Sequence, residues 1–220
     1  MIKPRVIETN DGIQEQPTVR EFDQMARSQR DKGQIDYTAL IKNGLTNGAG
    51  LEIGPGPGYV GLEWLKMTQG TSLVGLEISE EMIKMAAKNA AEYGFENRVR
   101  YIQSNATERF PFNSNTFDAV FSYSSLHEWE KPENVFNEIH RVLKTGGHFL
   151  VSDLRRDVSF FIRQIMKAAV KQPSMKAGLL TSLAAAYTKD EINKILSETK
   201  LNTFQIVKSP FGMYVTGEKK

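Results

Sequence analysis

The sequence predicts an α/β fold: a doubly wound, mostly parallel seven-stranded sheet carrying extra helices. Three observations lead there. Short apolar runs alternate with helical periodicities from about residue 50 onward, as a parallel sheet with crossover helices requires. A glycine-rich loop, Gly54-Pro55-Gly56-Pro57-Gly58, joins the first such run to the first helical one. The chain has 220 residues, 40% hydrophobic and 25% charged, enough for one full core with an elaboration.

The elements follow in order. Residues 18–44 open with a capping box at Thr18 and Glu21 and an apolar series Val19, Phe22, Met25 and Ala26, read as a helical cap. Leu51–Ile53, Leu73–Leu76, Val99–Gln103, Phe117–Ser122 and Phe149–Ser152 read as five strands, and residues 48–153 hold them as the core of the fold. Between them Ser79 caps a helix that runs through Tyr93 and stops at Gly94, and Pro132 starts another that reaches Leu143 before Gly146. The insertion 155–187 carries a helical stripe of Val158, Phe161, Ile162, Ile165, Met166, Ala169 and Val170, ended by Pro173. A second stripe follows with Met175, Leu179, Leu180, Leu183 and Tyr187. Residues 188–220 add a helix with a capping box at Thr188 and Glu191, then strands Phe204–Lys208 and Met213–Thr216. Plain packing on the sheet accounts for most of both stripes. An insertion after the fifth strand nevertheless hangs over the carboxyl ends of the strands, where open α/β sheets bind ligands, so 155–187 is read as a lid.

The glycine loop is nucleotide-sized. Gly54, Gly56 and Gly58 lack Cβ atoms, so the chain turns tightly and lets a ligand lie on its backbone in front of a helix N-terminus. Read as Gly56-Pro57-Gly58-Tyr59-Val60-Gly61, the loop also fits a dinucleotide template. Two details oppose that reading: Pro55 and Pro57 each remove an N–H that a pyrophosphate would need, and Glu52 sets a carboxylate beside it. A ligand carrying an ammonium and a sulfonium suits the loop better.

With Glu52 through Gly58 matching an acid, any residue and Gly-x-Gly-x-Gly, the chain resembles the class I S-adenosylmethionine-dependent methyltransferases. The resemblance is to the small-molecule, ubiquinone/menaquinone-biosynthesis-like type, with its Rossmann-like methyltransferase fold. It extends to Glu77 at the end of the second strand, to 117–122 and to 141–151, and covers residues 48–153 closely. It implies S-adenosyl-L-methionine as cofactor, held by Glu52, Gly54, Gly56, Gly58, Glu77, Ile78, Met82, Asn105, Ala106 and Ser122. Glu77 would accept from both ribose hydroxyls and Met82 would pack on the adenine. Many relatives have Asp-Ala where Asn105-Ala106 stands, and the asparagine carbonyl can still accept the exocyclic amine. The reactive face would be built by 122–129, with His127 and Tyr123 as catalytic residues. His127 resembles the first histidine of a Leu-His-His stretch, and its ordinary pKa of about 6.5 lets it accept a proton at neutral pH. A capping or surface histidine is the plainer alternative. Tyr123 and Trp129 can shape a pocket or simply pack.

Other chemistry is narrowed by what the sequence lacks. It has no cysteine, so disulfides, thiolate metal sites and cysteine nucleophiles are excluded. No Asn/Asp-Pro-Pro-aromatic sequence follows the fourth strand and no acidic cluster suggests a metal, so none is expected. The net charge of +2 comes from scattered residues, which indicates no dedicated nucleic-acid surface. No window approaches the ~20 apolar residues of a membrane span, and a cytoplasmic protein is expected. These readings converge on methyl transfer to a small or medium-sized organic acceptor. A protein or RNA methyltransferase, or a binding module without transfer activity, are the alternatives.

Overall fold

Seven strands lie in one sheet in the order β3-β2-β1-β4-β5-β7-β6, and the computed structural model describes residues 3–8, 12–170 and 172–220. The strands are β1 (Ala49–Ile53), β2 (Ser72–Glu77), β3 (Val99–Gln103), β4 (Phe117–Tyr123), β5 (Leu143–Leu154), β6 (Phe204–Lys208) and β7 (Gly212–Glu218). β1 to β5 pair in parallel, while β7 runs antiparallel to both β5 and β6. The strand order reverses direction beside β1 and β4, which opens a crevice at their carboxyl ends.

Alternation along the central strands separates two apolar faces. Leu51, Ile53, Val120 and Val151 pack with α5 (Pro132–Val142) and α8 (Lys189–Ser197). On the other side Ala119, Phe121 and Leu150 meet Trp64 of α3 (Tyr59–Met67) and Leu40 of α2 (Thr38–Lys42). Trp64 Nε1 donates to Leu45 O over 2.7 Å, so this buried indole keeps its polar atom paired.

Several expected ends are met by their capping residues. Ser79 Oγ accepts from Met82 N at the start of α4 (Glu80–Tyr93), Gly94 closes it at φ 71°, and Thr188 and Glu191 form both bonds of the box at α8. Two expectations need correction. α1 begins at Gln16, two residues before Thr18, because Pro17 already supplies helical φ in the first turn; the Thr18–Glu21 box does not form. Pro173 begins α7 (Pro173–Ala185) instead of ending α6 (Phe160–Ala169), which stops where Val170 turns extended.

The two stripes of 155–187 are only half used. Val158, Met166 and Leu183 form a small core of their own with Ile162 and Leu179, whereas Phe161 is 71% exposed and Ile165 and Leu180 also face outward. Tyr187 lies past the end of α7, buried, with its hydroxyl donating to Trp129 O over 2.9 Å. No helix among the described residues is long and apolar enough to cross a membrane.

Candidate functional site

β1 delivers the chain into the loop Gly54–Gly58, whose three glycines all have positive φ, at 65°, 53° and 86°. A side chain could not be carried there. A Cβ at Gly54 would lie 2.5 Å from Ser125 Oγ, and one at Gly58 would lie 2.7 Å from Tyr101 Oη. At Gly56 the nearest atom is Phe22 Cε1 at 3.6 Å, so the loop is open there beneath an aromatic ring from α1 (Gln16–Asp31).

Glu77 ends β2 facing this loop. Its Oε2 accepts from Gly56 N at 3.0 Å, and its Oε1 accepts from Ile78 N at 2.9 Å and Ser79 N at 3.0 Å. Burial pushes its pKa up, and those N–H groups oppose the rise. Each carboxylate oxygen offers about two acceptor directions, so Oε2 keeps one for a hydroxyl donor. Residues 12–14 lie over Ile78 and Ser79: Ser79 Oγ donates to Ile13 O, and Gly12 sits close against Ile78.

Glu52 points away from the opening, under the first turn of α3, and is 1% exposed. Burial drives its pKa well up, a backbone N–H of Gly61 opposes that, and its Oε2 has no hydrogen-bond partner among the described residues. It supports the loop from below. Asp23, which the sequence did not single out, does so from the side. Its Oδ1 accepts from Tyr59 Oη and Asn89 Nδ2 at 2.8 Å each, and Asn89 also donates to Pro57 O, so α1, α3, α4 and the loop share one buried network.

The other expected cofactor residues fall into two groups. Met82 is buried in the first turn of α4, Ile78 is half-buried, and Ala106 is half-buried beside the core. Two more are engaged by bonds within the protein. Asn105 Oδ1 accepts from Thr107 N and Thr107 Oγ1, so a local turn occupies the carbonyl meant for an adenine amine. Ser122 is fully buried with its hydroxyl donating to Ile53 O, which makes it a tie between β4 and β1.

The reactive face is organised by a 3-10 turn, Leu126–Glu128, that abuts Gly54 through Ser125. His127 is 5% exposed, with Nδ1 at 2.9 Å from both oxygens of Asp153, whose Oδ2 also accepts the His127 backbone N–H. Desolvation pulls the imidazole pKa down, but the charge and hydrogen bond of Asp153, with Glu128 and Glu8 behind them, push it up to about 9. The imidazole thus departs from an ordinary histidine, neutral at pH 7. Burial raises Glu128 to about 7, against the pull of His127. Tyr123 does not join this cluster. Alternation places it with Phe121 on the α2–α3 face, its hydroxyl donating to Asp36 O at 3.3 Å, while Asp153 lies with Val151 on the other. Trp129 is core, edge-on to Phe136 at 5.7 Å.

An N-terminal strap completes the face. Arg5 donates to Ala185 O and to His127 O and lies 4.1 Å from the Tyr187 ring centre, and Arg156 Nε donates to Lys3 O. Glu8 accepts from Thr181 Oγ1 and turns its other oxygen toward His127 Nε2 at 3.7 Å. Asp153 carried one signal in the sequence, an acid at the carboxyl end of a strand; Arg5 and Glu8 carried none.

Residues 51–151 match the sequence profile described as a methyltransferase domain. The chain is 29% identical over 134 residues to a ubiquinone biosynthesis O-methyltransferase of Aliivibrio fischeri, covering 61% of this chain and 56% of that protein. It is 36% identical over 114 residues to the methyltransferase YdaC of Bacillus subtilis, covering 51% and 60%. The chain thus spans somewhat more than half the length of these relatives. A crystal structure of a SAM-dependent methyltransferase from Aquifex aeolicus superposes with a TM-score of 0.71 at 19% identity, over 94% of this chain and 99% of that one, and shares its fold.

Proposed function

We infer that this chain, which belongs to the class I S-adenosylmethionine-dependent methyltransferase family, transfers a methyl group from that cofactor to a small or medium-sized organic acceptor. The observation that carries the reading is the pairing of a bare glycine loop with the buried Glu77 carboxylate. Glu77 faces the loop with its carboxylate, and two of the loop's positions are prolines without N–H groups. That donor set disfavours a pyrophosphate and fits a cofactor with ribose hydroxyls and positive charge.

In this reading Gly54, Gly56 and Gly58 admit the cofactor to the backbone, Glu77 accepts from a ribose hydroxyl through Oε2, and Ile78, Met82 and Ala106 supply apolar contacts. Glu52 and Asp23 hold the loop in shape. The cofactor brings a methyl carbon already activated by a sulfonium. The protein's main contribution is then to hold the acceptor in line, an effect that can supply as much as ~7–11 kcal/mol. His127 carries a proton at neutral pH and becomes a base once that proton has left. Residues 155–187 and the strap exclude water as a lid.

The test joins binding to turnover. Calorimetry should give a micromolar Kd for S-adenosylmethionine or S-adenosylhomocysteine, about −8 kcal/mol, with NAD and FAD at least tenfold weaker. Labelled methyl groups should then pass from the cofactor to a component of a metabolite extract. Cofactor binding with no transfer would favour the non-catalytic binding module instead, and tighter binding of NAD would overturn the family-based reading of the loop.

A further inference from the structure

Three carboxylates converge on one imidazole beside the glycine loop. Asp153 holds Nδ1 of His127, while Glu8 Oε2 at 3.7 Å and Glu128 Oε1 at 4.0 Å flank Nε2 on the open side. Neither of the latter two is a hydrogen bond. Nε2 has no hydrogen-bond partner among the described residues, although the ring is almost wholly buried, and Glu8 Oε2 is buried and equally unpaired. With every group ionised, one imidazolium against three carboxylates leaves a charge of −2. Adding Arg5, whose Nε and Nη2 donate to the carbonyls of Ala185 and His127, still leaves −1. A nearly buried imidazole whose free nitrogen faces one oxygen each of Glu8 and Glu128, the Glu8 oxygen buried and without a hydrogen bond, calls for a ligand that donates hydrogen bonds and carries positive charge.

We propose that Glu8, His127 and Glu128 form the acceptor-binding site for a protonated primary or secondary amine, which makes this chain an N-methylating enzyme. The proposal rests on the methyl-transfer reading above and specifies its acceptor. An ammonium donates to Glu8 and Glu128 and sets a like charge beside the imidazolium, which favours loss of the ring proton to solvent. Neutral Nε2 then takes one proton from the ammonium. The freed nitrogen pair forms the new N–C bond as the C–S bond of the sulfonium donor breaks with its electrons staying on sulfur. The methylated amine leaves as a cation and the thioether as the second product. A carboxylate or phosphate acceptor would meet a surplus of negative charge instead, and an alcohol would leave that charge unanswered.

The chain has three histidines, so the imidazole Cε1–H signals are few, and His127→Gln identifies the relevant one. The probe is ethylammonium chloride, small enough for any acceptor site, titrated into protein saturated with S-adenosylhomocysteine at constant ionic strength. Ethanol and sodium acetate serve as size-matched controls. The His127 signal should move saturably with ethylammonium and stay still with ethanol. The half-saturation concentration should rise at least tenfold in Glu8→Gln and Glu128→Gln, two partly exposed positions, with thermal melts confirming that both variants fold. An equal response to ethanol, no saturable response, or unchanged binding in both variants overturns the proposal. Turnover separates its failure from that of the broader reading: labelled methyl recovered only in neutral or anionic products sinks the amine and leaves methyl transfer standing. Failure of the protein to bind S-adenosylhomocysteine at all sinks both.

Discussion

Glu77 carries two loads that substitution should expose together. Its carboxylate closes a turn by accepting Gly56, Ile78 and Ser79 N–H groups, and in the proposed site it also accepts a ribose hydroxyl. Glu77→Ala should weaken cofactor binding by ~1.5–3 kcal/mol, the range for charge-assisted hydrogen bonds, and also lower the melting point because buried donors lose their partner. Calorimetry and melting on one sample read both effects; unchanged cofactor affinity in a destabilised protein would leave Glu77 purely structural. His127 supplies a pH signature. Its pKa rises on folding from about 6.5 to about 9, so the imidazolium stabilises the fold fully below pH ~6.5 and that contribution is lost as pH climbs through 9. Glu128, raised to about 7, acts with the same sign at lower pH, because the folded state holds its proton longer. Urea denaturation should therefore show stability falling between pH 6.5 and 9, with a shallower fall in Asp153→Asn, which removes the charge facing Nδ1. A flat profile in the parent protein would contradict the raised pKa.

Among the elements, α6 and α7 are where sequence and structure diverge most. Their stripes read as complete helical faces, yet Phe161, Ile165 and Leu180 stay exposed while Val158, Met166, Met175, Leu183 and Tyr187 are buried, because α7 packs against the 3-10 turn and only a small apolar cluster joins it to α6. Periodicity reports which residues share a face and is silent on what covers it. Leu183→Ala should cost ~2–5 kcal/mol of stability and Phe161→Ala well under ~1, a contrast that thermal melts resolve. As a lid, this pair should exchange its amides faster than β1 and β4 in the free protein and slow when cofactor and acceptor are bound. Uniformly slow exchange with no response to ligand would reduce 155–187 to ordinary scaffold. By contrast both ends of α4 and the start of α8 were legible to within a residue, since Ser79, Gly94, Thr188 and Glu191 act on backbone groups only a few positions away. α1 was misplaced because Pro17 outranked a capping box that had equal claim in the sequence.

Across the whole molecule, what the sequence disclosed is local chemistry and what it concealed is long-range pairing. The glycine loop and Glu77 are joined by one βαβ unit, so spacing alone connects them. Asp153 reaches His127 from a neighbouring strand, and Arg5 reaches Ala185 from the far end of the chain, contacts that leave no periodic trace. These long-range ties converge on the glycine-loop side of the sheet. α1 binds the loop through Asp23 and Asn89, residues 12–14 cover Ser79, and the strap joins the 3-10 turn to α7. A ligand bound there contacts parts of the protein that are held together mostly by polar links, so its binding energy should register as stability of the entire fold. With one site and no affinity for the unfolded chain, S-adenosylhomocysteine at 100 times its Kd should add ~2.7 kcal/mol. For a domain of this size that corresponds to a rise in Tm of roughly 5–11 °C. Replacing Asp23 with Ala should lower the Tm of the free protein and also shrink this rise, because the loop would no longer be held in its binding shape. An undiminished rise in Asp23→Ala would mean that the network stabilises α1 alone and that the glycine loop keeps its conformation without it.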